Sequence, residues 1–352
     1  QRMRRMRKAA ETLQRIERRS SGNSEFLERS GDRLSSNGIE QMIGNFLSVA
    51  MKVLILFLLM SVGFVLGRKK IITETGTDQM NFLLPQPVVV PCVIIDAFQV
   101  DKSQIPTWNL WFTVIAGLVY VLAAVVIVKF CFNKEPDGRR QVLKFGAMFS
   151  NCGFMGFPMV QEVLGDRGMV YAAIINTIVT VAMWTVGFVV MGKEGERISI
   201  RKVALNPGAV GVYIGLPLLL FSLELPDPFQ SVVGFLADMN TPLAMICIGV
   251  FISKTKLLDI FKEKTLYWVT VIRLLLIPAA VMGILLLFQP DYIPMTSSII
   301  QFCAPSAGLT AIFAARFRHD TTLAAKTVAI STLLSILTMP LFCVALQTIY
   351  GV

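Results

Sequence analysis

The sequence predicts an all-α integral membrane protein, with ten transmembrane helices arranged as two inverted repeats of five. Three observations lead there. Apolar residues come in long blocks, basic residues collect in alternate loops between the blocks, and the fourth and ninth blocks are interrupted at matching places.

The blocks fix the solvent. Of 352 residues, 54% are hydrophobic and 16% are charged, against about 25% charged in an ordinary soluble domain. A helix crossing the roughly 30 Å hydrocarbon layer needs about 20 mostly apolar residues. Blocks of that order lie at 43–66, 77–98, 108–131, 142–164, 167–192, 206–223, 229–253, 265–288, 296–316 and 321–350.

The charges fix the count of crossings. With the N-terminus outside, the loops after spans one, three, five, seven and nine face the cytoplasm. They hold Arg68, Lys69 and Lys70; Lys129, Lys134, Arg139, Arg140 and Lys144; Lys193, Arg197, Arg201 and Lys202; Lys254, Lys256, Lys262 and Lys264; Arg316 and Arg318. The opposite loops hold only Lys102 and Arg167. Positive residues accumulate on the cytoplasmic side of membrane proteins. The split therefore predicts a multi-pass protein of the cell membrane with both termini outside.

The net charge of +10 accordingly reflects topology and excludes nucleic acid as a partner. Membrane lipid is the partner this composition demands. Residues 1–42 stand apart. They comprise a basic, mildly amphipathic stretch with Met3, Met6, Leu13 and Ile16 near helical spacing, then a Ser/Gly/Asn-rich linker. This segment reads as a solvated or interfacial helix, and no apolar run follows it directly as a signal peptide requires. The predicted divisions are 1–42, a first repeat at 43–192, a connecting loop at 193–205 and a second repeat at 206–352.

The third observation is the interruption. Span four carries Ser150-Asn151-Cys152-Gly153-Phe154-Met155-Gly156-Phe157-Pro158, and span nine carries Cys303-Ala304-Pro305-Ser306-Ala307-Gly308. Proline removes a backbone donor and clashes one turn back, so a helix there kinks or breaks. Broken backbone at membrane depth survives only where protein or a wet cavity satisfies it. Setting residue n against n + 154 pairs Asn151 with Pro305, Gly153 with Ala307, Asp166 with Asp320, Ala172 with Lys326 and Asn176 with Ile330. Val90-Pro91-Cys92-Val93 and Thr241-Pro242-Leu243-Ala244 fill similar places in spans two and seven. Five spans per repeat is odd, so the second copy enters from the opposite side. Secondary transporters with that architecture hold a midplane site between discontinuous helices.

Enzymatic chemistry finds no footing. Six cysteines (Cys92, Cys131, Cys152, Cys247, Cys303, Cys343) lie in or beside apolar runs without metal-ligand spacing, and His319 is the sole histidine. No phosphate loop is present, so gradients and not ATP are expected to drive the protein. No cofactor is expected.

Four motifs carry a family resemblance. Phe149–Pro158, Asn206-Pro207-Gly208-Ala209-Val210-Gly211, Met239-Asn240-Thr241-Pro242-Leu243-Ala244 with Ile248-Gly249, and Ser331–Pro340 resemble, in that order, the auxin efflux carrier family. That family includes bacterial malonate-type carriers and the plant PIN-formed auxin exporters. The likeness covers roughly 43–350. It implies that broken helices 4 and 9 cross beside the substrate, and that a scaffold part, often a homodimer, supports a mobile transport part. The family's crossover positions map onto Asn151 with Gly153–Pro158 and onto Pro305. The second crossover departs from the pattern in offering no Asn, and Lys326 is a further departure.

Helices broken near the midplane expose N-terminal ends bearing unpaired N–H groups and partial positive charge, which hold a carboxylate. The candidate substrate residues are Ser150, Asn151, Cys152, Gly153, Pro158, Asn176, Ala304, Pro305, Ser306 and Lys326. Asn151 can orient an anion without a fixed charge, and Lys326 can act as counter-ion or replace a coupling sodium. The same small polar residues also allow close helix crossing without any ligand, and Lys326 can snorkel to the interface beside Asp320 or Asp166. Asp96 is a candidate ion or proton site, with an interfacial role as its alternative. Lys52 and Arg273 are the remaining charges at depth, Arg273 expected to pair inside the protein. The expected function is alternating-access transport of small organic anions, carboxylates such as auxin- or malonate-like acids. The alternatives are a non-transporting sensor that signals through the basic extension, and a sodium- or proton-coupled symporter of bile-acid-carrier type.

Overall fold

In the computed structural model the described residues are 47, 51, 54–72, 88–99, 105–192, 205, 207–221, 223–253 and 263–351. The expectations for residues 1–42, Lys52, Lys102 and the 193–204 loop lie outside them. All but Leu47 belong to one unit, Val49–Val352.

The described elements are helical. In chain order they are α1 (Leu54–Arg68), α2 (Val90–Ala97), α3 (Thr107–Lys129) and α4 (Arg139–Met148). A π-helical turn at Cys152–Gly156 leads into α5 (Phe157–Leu164). Then come α6 (Asp166–Met191), α7 (Pro207–Phe221), α8 (Asp227–Asp238), α9 (Asn240–Ser253) and α10 (Lys264–Leu286). The last are α11 (Tyr292–Cys303), α12 (Leu309–Arg316) and α13 (Thr321–Tyr350). Among the described residues, five stretches are long and apolar enough to cross a membrane: α3, α6, the α8–α9 run, α10 and α13. α1 and α7 are apolar but shorter. The chain is a multi-pass membrane protein.

α3 shows how such a helix is built. Phe112, Ala116, Tyr120, Ala124 and Val128 recur every four residues and are buried, which places them on one face. Trp108, Trp111, Leu118, Leu122 and Val126 are exposed on the others. Exposure on this scale would be unfavourable in water, whereas lipid chains are as apolar as these side chains.

Elsewhere backbones touch. A Cβ added at Gly63 would overlap the Ile246 carbonyl oxygen, and one added at Gly249 would overlap that of Met60. α1 and α9 thus approach closely enough that only hydrogen fits between them, as small residues permit in membrane helices.

Loops gather in separate groups. Arg139, at the start of α4, meets Glu263 before α10 at 2.5 Å, Asp320 before α13 at 3.5 Å and Glu135 after α3 at 3.5 Å. His319 joins the end of α6 through the Met191 carbonyl at 2.7 Å. Four of the loops expected to share a side are therefore tied together. Elsewhere Asn109 donates to Asp291 at 2.9 Å, Tyr350 donates to the Pro290 carbonyl at 2.7 Å, and the Leu225 N–H donates to Gln99 at 3.0 Å.

Candidate functional site

Both interrupted blocks are broken, and they meet at their breaks. α4 ends where Phe149 turns extended (φ −109°, ψ 126°), and α11 ends where Ala304 does (φ −60°, ψ 151°). Pro305 accounts for the second break, because proline drives the residue before it out of the helical region. The first break has a different cause from the one its sequence suggests. Pro158 sits beyond the break, inside the continuous helical run formed by the π turn and α5, where its missing N–H removes one bond back onto the π turn, so it is not what ends α4.

The two extended stretches pair as a short antiparallel bridge at Ser150 and Ser306. The Asn151 N–H donates to the Pro305 carbonyl at 2.7 Å, and the Ala307 N–H donates to the Phe149 carbonyl at 2.9 Å. The Asn151 carbonyl accepts from Met155 at 3.0 Å and Gly156 at 3.1 Å, which closes the π turn. By construction the first N–H groups of that turn, those of Cys152, Gly153 and Phe154, have no partner within it. Gly153 and Phe154 are half-buried, as are Gly308 and Leu309 at the start of α12. These helix starts are the electropositive ends of the broken spans.

Four carboxamide side chains from four elements surround the π turn. Asn151 precedes it and is 6% exposed, with Nδ2 lacking a partner. Asn176 of α6 is buried, its Oδ1 3.4 Å from where a Cβ on Gly153 would stand. Asn240, at the start of α9, donates through Nδ2 to the Gly153 carbonyl at 3.3 Å and leaves Oδ1 unpaired. Gln301 of α11 is fully buried against Gly156 with neither amide atom paired. A buried polar group without a partner costs about 1–3 kcal/mol, and three such carboxamides at one turn leave donors and acceptors free for a further polar group.

The serines have fixed duties. Ser306 donates to the Gly146 carbonyl at 2.8 Å while its N–H donates to the Ser331 hydroxyl of α13 at 3.1 Å. Ser150 lies 2.9 Å from the Cys152 thiol, which is 3.6 Å from the Gln301 carbonyl. Both hydroxyls are fully buried and engaged with protein. Ala304 is likewise fully buried.

Lys326 is half-buried on α13 and forms no ion pair among the described residues. It lies five residues before Ser331, about 140° around the helix, so the face that touches the break is not its own. Asp320, its expected neighbour, instead pairs with Arg139 and caps α13 by accepting from the Leu323 N–H at 2.8 Å.

Arg273 is fully buried in a π-helical turn of α10 (Ile272–Leu276). Among the described residues no carboxylate pairs with it. Nη1 donates to the Tyr120 hydroxyl at 2.5 Å and to the Met148 carbonyl at 3.0 Å, and Nη2 donates to the Phe302 carbonyl. Tyr120 itself donates to Met148 at 2.7 Å and stacks on Phe302, centroids 4.4 Å apart. The guanidinium thus ties together the final turns of both broken half-helices.

Beyond the π turn lies a cavity of about 280 Å³ between α2, α5 and the α8–α9 junction. Pro158, Asp96, Asp166, Asp238 and Asn240 line it, and among the described residues no lysine or arginine does. Asp96 and Pro158 are candidates on sequence alone, whereas the cavity they share is visible only in the fold. Asn240 and Gln301 are not among the residues the sequence nominates, although a carboxamide within an apolar run is a signal for both.

The model of the membrane transport protein family matches this chain over residues 48–202 and 196–343. An "Uncharacterized transporter" of Methanothermobacter thermautotrophicus is 25% identical over 307 residues, 86% of this chain and 99% of that protein. A protein of Rhizobium meliloti named "Putative malonate transporter" is 23% identical, covering 63% of this chain and 72% of its own. The "Uncharacterized transporter YfdV" of Escherichia coli is 21% identical over 82% of this chain and 94% of its own. With broken helices meeting inside a multi-pass membrane fold and a family model spanning most of its length, this chain belongs to the membrane transport protein family, that of the auxin efflux carriers.

Proposed function

We propose that the protein is a secondary transporter that moves small organic anions, carboxylates of the malonate or auxin type, by alternating access. The observation that carries this is the meeting of the two interrupted helices around a π turn whose first N–H groups, unbonded within the turn, lie among buried carboxamides with unpaired atoms. Helix starts favour anions, and Asn151, Asn176, Asn240 and Gln301 supply neutral donors and acceptors that can orient one. The name borne by the R. meliloti relative supports a dicarboxylate such as malonate.

Ten crossings in two inverted five-helix repeats are part of this proposal. In support, one interval of 155 residues relates the ends of α4 and α11 at Met148 and Cys303 and the starts of α6 and α13 at Asp166 and Thr321, within one residue of the interval that aligns the two halves of the sequence. The loops expected on one side of the membrane are also tied to one another. We place the substrate at Asn151, Cys152, Gly153, Asn176, Pro305 and Ser306, with Ser150, Ala304 and Pro158 framing it and Lys326 as a more distant charge. A homodimer through the scaffold part goes with this reading, as do a cell-membrane location and both termini outside.

The test is uptake of radiolabelled malonate and of an indole carboxylate into proteoliposomes holding the full chain. Saturable flux that unlabelled acid competes away supports the proposal. Absence of flux for every acid, in either membrane orientation, removes it.

A second reading has its own observation: the cavity lined by Asp96, Asp166 and Asp238. An anion passing three carboxylates is repelled unless a proton accompanies it, which favours proton symport. Flux that follows an imposed pH gradient, and that loses this dependence in Asp96→Asn, distinguishes it from uniport.

A further inference from the structure

We propose that Arg273 is the carrier's resident cation. It fills permanently the place where a mobile metal cation would otherwise have to bind, so that transport at this crossing needs no sodium. The inference rests on the transport reading above and addresses what that reading leaves open, the coupling ion.

The physical basis is the polarity of the two breaks. α4 and α11 both run toward the crossing, so each ends there with its last carbonyls lacking helical partners. Each such end carries roughly half a negative charge, and two ends facing one buried point amount to about one unit. In sites of this kind, backbone carbonyls at half-helix C-termini hold sodium or a proton. Here a guanidinium reaches the final turn of both helices, at Met148 and at Phe302. Arginine presents five N–H donors in a rigid fork and stays protonated in proteins.

Three further features favour the dipoles as its counter-charge. Arg273 is fully buried, yet no described carboxylate pairs with it. Tyr120 lies with its ring 5.3 Å from the guanidinium carbon and passes a second hydrogen bond to Met148, so the cation is held through its two terminal nitrogens while Nε is buried without a partner. The π turn at Ile272–Leu276 shifts the helical register at this very residue, a distortion frequent at functional sites. Arg273 touches neither Asn151 nor the cavity, so it acts on the substrate site by fixing both half-helices as one moving body. It is a positioning residue.

Two measurements on the purified full chain test this. In proteoliposomes, wild-type malonate flux is expected to agree within twofold in sodium, potassium and choline salts of equal strength. Arg273→Lys keeps the charge but loses the fork. It should lower Vmax at least tenfold with KM within twofold. In detergent, the thermal midpoint of the wild type should be the same in sodium and choline chloride. Arg273→Met should melt lower and recover part of the loss with millimolar methylguanidinium, but not with choline.

Several results overturn the proposal: wild-type flux or stability that requires sodium, Arg273→Lys flux equal to wild type, or a raised KM at unchanged Vmax, which assigns the guanidinium to the substrate. If Arg273→Met does not fold, Arg273→Lys carries the test alone. If no acid moves in any salt, the transport reading fails. The sodium dependence of the wild-type midpoint then decides the resident-cation proposal by itself.

Discussion

The Asn151 N–H donates to the Pro305 carbonyl, and these two residues stand 154 positions apart, the interval that aligns the two halves of the sequence. In antiparallel pairing, residues in such a position exchange two hydrogen bonds. Proline has no N–H, so only one forms here. The Asn151 carbonyl, relieved of its reciprocal partner, instead accepts from Met155 and Gly156 and winds the π turn. One missing proton on one side of a near-symmetric contact thus shapes the turn around which the carboxamides gather.

Pro305→Ala restores that proton. The new N–H competes for the Asn151 carbonyl against Met155 and Gly156, and the π turn loses its anchor. Flux in proteoliposomes is expected to fall at least tenfold. The thermal midpoint should change little, since the exchanged bonds are each worth about 1 kcal/mol net. An unaltered rate would mean that the turn's geometry does not matter to transport.

Asn151→Ala separates binding from folding. The backbone bond to Pro305 survives the change, and the side chain's Nδ2 has no protein partner to lose. Stability should therefore hold within about 1 kcal/mol, because removing a buried unpaired donor relieves a desolvation penalty. Flux is expected to drop at least tenfold. A large loss of midpoint with intact flux per folded molecule would assign Asn151 to structure alone.

Ser331→Ala tests the support beneath the second break. The Ser306 N–H donates to the Ser331 hydroxyl, and both residues are fully buried. Removing the acceptor leaves a buried N–H unsatisfied, at a cost of about 1–3 kcal/mol. Thermal unfolding in detergent should show the loss. Ser331→Thr, which keeps the hydroxyl, should recover much of it.

What could be read from the sequence follows the chemistry of each signal. Both breaks were visible, because Gly, Ser, Asn and Pro within an apolar run are conspicuous. Their causes are only half visible, since Pro305 ends its helix whereas Pro158 lies past the first break, within the helix that follows it. Lys326 is conspicuous as a charge in an apolar block, yet among the described residues no ion pair ties it to the break. Arg273 is expected from the sequence to pair inside the protein and does so, but its link to both half-helices is not legible there. Its partners are carbonyl oxygens, which every residue carries, so no pattern of side chains could announce them. The π turns at Met183–Gly187 and Ile272–Leu276 were equally silent, because one extra residue in a helical turn leaves no compositional mark.

The contact between α1 and α9 yields the sharpest expectation for stability. Gly63 and Gly249 each leave room for the other helix's backbone and for nothing larger; a methyl at Gly249 would overlap the Met60 carbonyl oxygen. A backbone cannot rotate aside as a long side chain can, so Gly249→Ala must push the helices apart along their length. Overpacking of this kind costs about 1–3 kcal/mol. The midpoint in detergent should fall accordingly, and Gly63→Ala should behave alike. Because both substitutions open the same seam, the double variant should lose less than the sum of the single losses, as coupled neighbours do. Fully additive losses would show that the two glycines relieve separate contacts, and the close approach inferred for this helix pair would have to be abandoned.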